Sequence, residues 1–162
     1  MLSNRWYRDC GSLDLPGRAV GCYAAPMQLD QRLVDAAIAQ ALSRFRRDES
    51  AGAAAVYLSD GRILTSVCFD TPHESANLCH ETGAFCEANR LGLAVTASVC
   101  VSRASRTDPF IILSPCGICQ ERLATWGLDV EVAVPVDGDP TRWQAKTLRE
   151  VQPFYWHKDL PT

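Results

Sequence analysis

Apolar residues recur at three- and four-residue steps from Leu29 to Phe45, through Leu33, Ala37, Ile38, Ala41 and Leu42. This spacing predicts an amphipathic helix with Asp30 as its cap. Beyond it the period changes. AAAVYLSDGRILTSVCF holds two β-rich runs around Ser59-Asp60-Gly61, and Asp-Gly supplies the positive φ angles of a tight hairpin. Antiparallel strands are therefore predicted over 53–58 and 62–69. A polar loop leads to CHETGAFCEANRLG, which is helical in composition and ends at a glycine stop. Thr96 to Ser102 predicts a third strand. Phe110 to Leu113 is a short apolar run closed by Ser114-Pro115, and CGICQERLATWG reads as a helix that again ends in glycine. Asp129 to Pro135 reads as another strand and Thr141 to Glu150 as a short helix. Strands alternating with helices imply a mixed α/β sheet covered by helices. The first 25 residues follow neither period, so the chain divides into an irregular arm over 1–27 and one folded unit over 28–162.

The chain has 162 residues, 47% of them hydrophobic, enough to fill the core of one domain. A formal net charge of -3 offers no basic face to nucleic acid, so no nucleic-acid partner is expected. No run approaches about eighteen apolar residues, and the start MLSNRWYRDCGSLDLPGR lacks the apolar core of a signal peptide. A cytoplasmic protein without a membrane partner is expected. In a reducing compartment the eight cysteines point to metal or catalysis rather than to disulfides.

SPCGICQERL, residues 114 to 123, is the strongest local signal. Pro115 suits the first turn of a helix and sets Cys116 and Cys119 one turn apart on one face. A helix N-terminus also favours thiolates, the form that binds zinc. A CxxC marks thioredoxin-like redox pairs too, but those need it after the first strand; closed structural zinc sites need four protein ligands. No second CxxC or HxxxH occurs in the chain. What it offers instead is a third cysteine, Cys79, with Glu81 two residues later. Three protein ligands leave the fourth position of a tetrahedral zinc open to water, which becomes acidic enough to use once a base can move its proton. Cys79, Cys116 and Cys119 are thus the candidate Zn²⁺ ligands and Glu81 the candidate catalytic acid–base. Adjacent side chains on a helix diverge by about 100°, so His80 is expected beside the ion rather than on it. Cys86 and Cys100 are expected to be buried structural thiols.

Cys79-His80-Glu81, followed by Pro115-Cys116-Gly117-Ile118-Cys119 and then Leu123, resembles the pattern of the cytidine deaminase family: a Cys or His, a small residue and Glu, then PCxxC. The similarity runs through the hairpin tip DGRI, the segment ILSPCGIC and the tail VQPFYWHKDL, over roughly residues 28 to 160. The three-cysteine site and short chain look most like the small tetrameric cytidine deaminases and blasticidin-S deaminase. The resemblance implies a three-layer α/β/α sandwich on a mixed sheet, with residues 28–162 as the catalytic domain. It implies a zinc-dependent hydrolytic deaminase that releases ammonia from an aminopyrimidine nucleoside or nucleoside-like amino-heterocycle, assembled as a homotetramer. It also implies that the Ser114 carbonyl receives the leaving amino group, that the His80 backbone N–H meets the ring or the attacking water, and that Trp156 completes a neighbouring subunit's pocket.

The sequence departs from that pattern in places. His80 stands where a small residue is usual. The Asn-x-Glu pair that holds ribose hydroxyls in the family is matched by Cys68 and Asp70, and Ser50 lies near the place of its ring-stacking aromatic. No arginine stands at Thr82, Ile118 or Gln120, where family members offset the thiolate charge; His80 or Arg122 is the candidate substitute. The altered Cys68 and Asp70 keep open a non-nucleoside amino- or guanidino-heterocycle as substrate. A non-catalytic zinc-binding module is a further alternative, one that has no need of Glu81.

Overall fold

A computed structural model describes residues 28–46 and 50–155; the arm over 1–27 and Trp156 lie outside the described residues. Helix α1 (Gln31–Arg44) is capped as its sequence predicts, the Asp30 carboxylate accepting the Leu33 N–H at 3.2 Å and the Tyr57 hydroxyl at 2.8 Å. Strands β1 (Ala51–Leu58) and β2 (Ile63–Ser66) form the expected hairpin. Gly61 takes the positive φ, 84°, that the turn demands. β1 pairs on its other side with β3 (Val95–Arg103), whose far edge is shared by β4 (Ile111–Leu113, antiparallel) and β5 (Glu131–Val136, parallel). The sheet runs β2-β1-β3-β5-β6, with β4 beside β3 and β6 (Asp139–Thr147) at the edge.

Helices cover both faces. β1 is buried along its whole length, as a central strand covered on both sides must be. On one face Leu33, Val34 and Ala37 of α1 pack on Ala55, Tyr57, Ala97 and Val99. On the other, Val56 and Leu58 meet Ala84, Phe85 and Ala88 of α2 (Thr82–Leu91) and Cys119 and Leu123 of α3 (Gly117–Leu123). The architecture is the expected three-layer α/β/α sandwich. A register shift opposite Thr96 turns Val95 toward α2 while Ala97 faces α1, since one extra residue exchanges the faces of a pleated strand.

Three expectations are corrected. The segment read as a helix over 141–150 is mostly strand β6, followed by the single-turn helix α4 (Leu148–Val151) with a capping box between Thr147 and Glu150. Asp137-Gly138, with Gly138 at φ 78°, is the same dipeptide that signals the first hairpin; it folds the chain back onto β5, and sheet pairing overrides local helical composition. β2 stops at Ser66 rather than running to Phe69, because the chain leaves the sheet and Phe69 makes an isolated bridge with Leu78. Cys86 is exposed on α2 rather than buried. Among the described residues no helix is long and apolar enough to cross a membrane.

Candidate active site

Two turns on the α2/α3 face carry the motif residues. Cys79, His80 and Glu81 precede α2 in a turn closed by the Thr82 N–H donating to the Cys79 carbonyl at 3.1 Å. Glu81 is the cap residue of α2 and is only 4% exposed. The helix predicted to include this triplet thus starts one residue after it. Its entry is held from β2, where the Ser66 hydroxyl donates to the His80 carbonyl. A Cβ added to Gly83 would press on the Ser66 side chain at 3.0 Å, so a glycine there lets helix and strand approach. Cys116 caps α3 and Cys119 lies in its first turn, with the Gln120 side chain donating to the Pro115 carbonyl at 2.8 Å.

These turns bring the sulphurs together. The Sγ atoms of Cys79, Cys116 and Cys119 all lie within 4.8 Å of one another, and Cys79 to Cys116 is 3.5 Å. A tetrahedral zinc with Zn–S bonds of about 2.3 Å holds its sulphurs roughly 3.8 Å apart, so the cluster fits such an ion. Burial pushes the Cys79 thiol up, and burial with the nearby Glu81 carboxylate pushes Cys119 up further. Burial opposes ionisation at Cys116 as well, yet the Cys119 backbone N–H and the neighbouring thiols outweigh it and hold this thiol below the ordinary value. Three sulphurs that resist ionising together in one place are stabilised by a cation, which removes their protons.

A cavity of about 340 Å³ opens above the cluster, bounded by Cys68, Asp70, Asn77, Leu78, His80, Glu81, Cys100, Leu113 and Ser114 besides the sulphurs of Cys79 and Cys116. Cys100 is buried as expected but reaches the cavity wall. Cys68 and Asp70 lie off the end of β2 at the rim, where the Cys68 thiol donates to Asp70 Oδ2 at 3.4 Å; burial and then Asp70 push that thiol up. His80 lines the cavity and sets its ring against Gly52 of β1. The Nε2 corner of its ring occupies the place a Cβ on Gly52 would take, and burial pushes the imidazole down. Arg122 takes the other course, its Nη1 donating to Thr82 Oγ1 at 2.7 Å, which sets a guanidinium across the junction of α2 and α3. Gly52 and Asn77 were not anticipated. A glycine inside a strand is itself a sign of close backbone approach, whereas nothing in the local sequence marks Asn77.

Comparison with solved structures agrees with the geometry. The cytidine deaminase of Bacillus anthracis is 38% identical over 78% of this chain and 89% of that one, with a TM-score of 0.72. A point mutant of the Mycobacterium tuberculosis cytidine deaminase is 25% identical over 78% and 94%, with a TM-score of 0.61. The Burkholderia pseudomallei cytidine deaminase, 20% identical over 78% and 98% with a TM-score of 0.58, shares the fold. No family model and no curated protein matches the chain. On the first of these likenesses the chain belongs to the cytidine deaminase family.

Proposed function

We propose that this protein is a zinc-dependent hydrolytic deaminase that releases ammonia from an aminopyrimidine nucleoside. The observation that carries the reading is a buried carboxylate, Glu81, in the wall of a cavity that Cys79 and Cys116 of the three-cysteine cluster also line, in a chain 38% identical to a cytidine deaminase. Cys79, Cys116 and Cys119 would hold Zn²⁺, which when bound supplies a Lewis acid that makes water acidic near neutral pH. Glu81 accepts a proton from the attacking water and delivers it to the ring nitrogen, then takes the second proton from the hydroxyl added to the ring carbon and passes it to the amine, so that the C–N bond breaks to give oxo product and ammonia. Its burial keeps bulk water from competing for that proton. The Ser114 carbonyl receives the amine, and the His80 backbone N–H, which has no partner among the described residues, meets the ring. Arg122 rather than His80 supplies the positive charge near the thiolates, since burial disfavours the imidazolium.

Ammonia release by zinc-loaded protein from cytidine, 2′-deoxycytidine, cytosine and blasticidin S tests the reading. Release from a nucleoside supports it; silence across the panel sinks it. A second reading, a non-nucleoside amino- or guanidino-heterocycle, is favoured by the exposed Asp70 carboxylate at the rim, and release from such a heterocycle with silence on every nucleoside would select it. The homo-oligomer is part of the same proposal: Phe69, Leu78 and Ile118 are exposed around the site, Phe69 by 63%, and a second subunit that also brings Trp156 would cover such apolar surface. Sedimentation reads the mass.

A further inference from the structure

Around the end of the sheet from the cavity stand two guanidiniums with no acceptor. Arg32, Arg62, Arg90 and Arg149 each rest on a carboxylate. Arg44 and Arg103 do not. Arg44 closes α1 with its Cζ 5.3 Å from the centre of the Phe45 ring, and Arg103 ends β3 with its Cζ 5.0 Å from the centre of the Phe110 ring. Both rings pack on the same cluster of Ala41, Ala51 and Ala53, and Val67 packs there beside them. Two neighbours tie this cluster to the cavity. Cys68, the residue after Val67, is in the rim, and Cys100, three residues before Arg103 and so about 10 Å along the strand, is in the wall. Burial and Asp70 push the Cys68 thiol up while the Arg44 charge pulls the other way, so the field of Arg44 reaches the rim.

Arg103 Nε and Nη2 are buried and have no hydrogen-bond partner. A donor left so costs more than a bond gained, and a folded chain that keeps one has a use for it. These two atoms share one edge of the guanidinium, the fork that grips two oxygens of a single oxyanion. Turning that edge outward forfeits no hydrogen bond, because it makes none. A carboxylate would balance one of the two cations, whereas a phosphate monoester carries about -1.5 to -2 charge at neutral pH and balances both. Asp70, the carboxylate of the rim, opposes a second anion, but one carboxylate against two guanidiniums leaves the sum positive. We propose that Arg44 and Arg103 form an oxyanion site beside the cavity mouth, and that its ligand is a phosphate on the substrate, which is then a phosphorylated nucleoside. The inference rests on the deaminase reading, which seats the ring beside Glu81 and sends the rest of the molecule outward past Cys68.

Binding is read by titration calorimetry on zinc-loaded Glu81→Gln protein, which retains the cavity without turnover, using cytidine, cytidine 5′-monophosphate and inorganic phosphate as probes. At low salt the monophosphate is expected to bind about tenfold or more tightly than cytidine, the scale of one charge-assisted hydrogen bond. The preference should shrink as salt is raised. Arg44→Gln and Arg103→Met, each in that background, should remove most of it, the second with little change in melting temperature because the donors it deletes have no partner. Equal binding of cytidine and its monophosphate overturns the site, as does full preference in a stably folded Arg44→Gln protein. An Arg103→Met protein that melts lower but keeps the preference makes Arg103 a packing residue and overturns the pair. Inorganic phosphate bound as tightly as the monophosphate assigns the site to a free anion and overturns its tie to the substrate. Failure of the deaminase reading shows separately: wild-type protein then releases no ammonia from cytidine or from its monophosphate, whatever their order of binding.

Discussion

The two faces of the central sheet are built from the same strands and behave as different materials. Toward α1 the buried side chains are aliphatic or small apart from Tyr57, whose hydroxyl is satisfied by Asp30. Toward α2 and α3 lie, among the described residues, the buried polar Glu81, Thr82 and Ser98, together with Cys100 and Cys119. One face is packed for stability, and the other is held open by small groups. Gly52 of β1 admits the His80 ring, and Gly83 of α2 admits β2. The difference teaches that a strand's period of two lets one segment serve both purposes, since Gly52, Ala54 and Val56 face the chemistry while Ala53, Ala55 and Tyr57 face the ballast.

That division makes separable predictions. The largest effect belongs to Glu81→Gln: turnover falls by about 10²- to 10⁴-fold, the scale of a lost acid–base group, while zinc content measured by metal analysis stays at the wild-type level. Cys119→Ala comes next and weakens zinc retention by at least about 100-fold in chelator competition, more than the loss of a group that only supports a ligand. Retention in the wild type also weakens as pH falls, because protons compete for the thiolates. Leu33→Ala, on the α1 face, costs about 2–5 kcal/mol in denaturant unfolding but leaves turnover per folded molecule unchanged. A changed KM in that variant would break the comparison between faces.

Gly52→Ala should cost about 1–3 kcal/mol by overpacking against the His80 ring. Combining it with His80→Ala should recover most of that loss, because the added methyl enters space the ring has left; simple additivity of the two changes would show that the ring does not sit in the notch. The smallest effect is expected at Asp30→Ala, about 1 kcal/mol for a lost cap. Burial opposes ionisation at Asp30, but hydrogen bonds from Tyr57, Arg32 and the Leu33 N–H hold its carboxyl below the usual carboxylate range. Its folded pKa therefore lies under the unfolded one. The contribution is complete above the unfolded value of about 4 and is lost as pH falls through the folded value, so mutant and wild-type stabilities should converge in acid.

The clustering of Cys79, Cys116 and Cys119 was legible because its signals are short: a CxxC at a helix start, and a third cysteine two residues before Glu81, supply a candidate ligand set by count alone. The first hairpin was legible for the same reason, since Asp60-Gly61 carries its own turn geometry. Residues 141–147 were misread as helix although Asp137-Gly138 is the same dipeptide, because an edge strand is stabilised by its partner β5 and not by its own composition. Cys86 was misplaced because helical phase depends on where α2 begins, and the Cys79–Glu81 turn shifts that start.

The sequence by itself determined which groups can ionise, ligate and turn the chain: three sulphurs, one carboxylate, an Asp cap and a glycine hairpin. These follow from side-chain chemistry and short-range sterics. Tertiary structure decided what lies opposite what. It set His80 over Gly52, Arg122 on Thr82, and Phe69 across from Leu78, pairs separated by 28, 40 and 9 residues. Such pairings come from strand register and helix packing, which no single segment encodes, because each is settled only when two apolar faces are buried against each other.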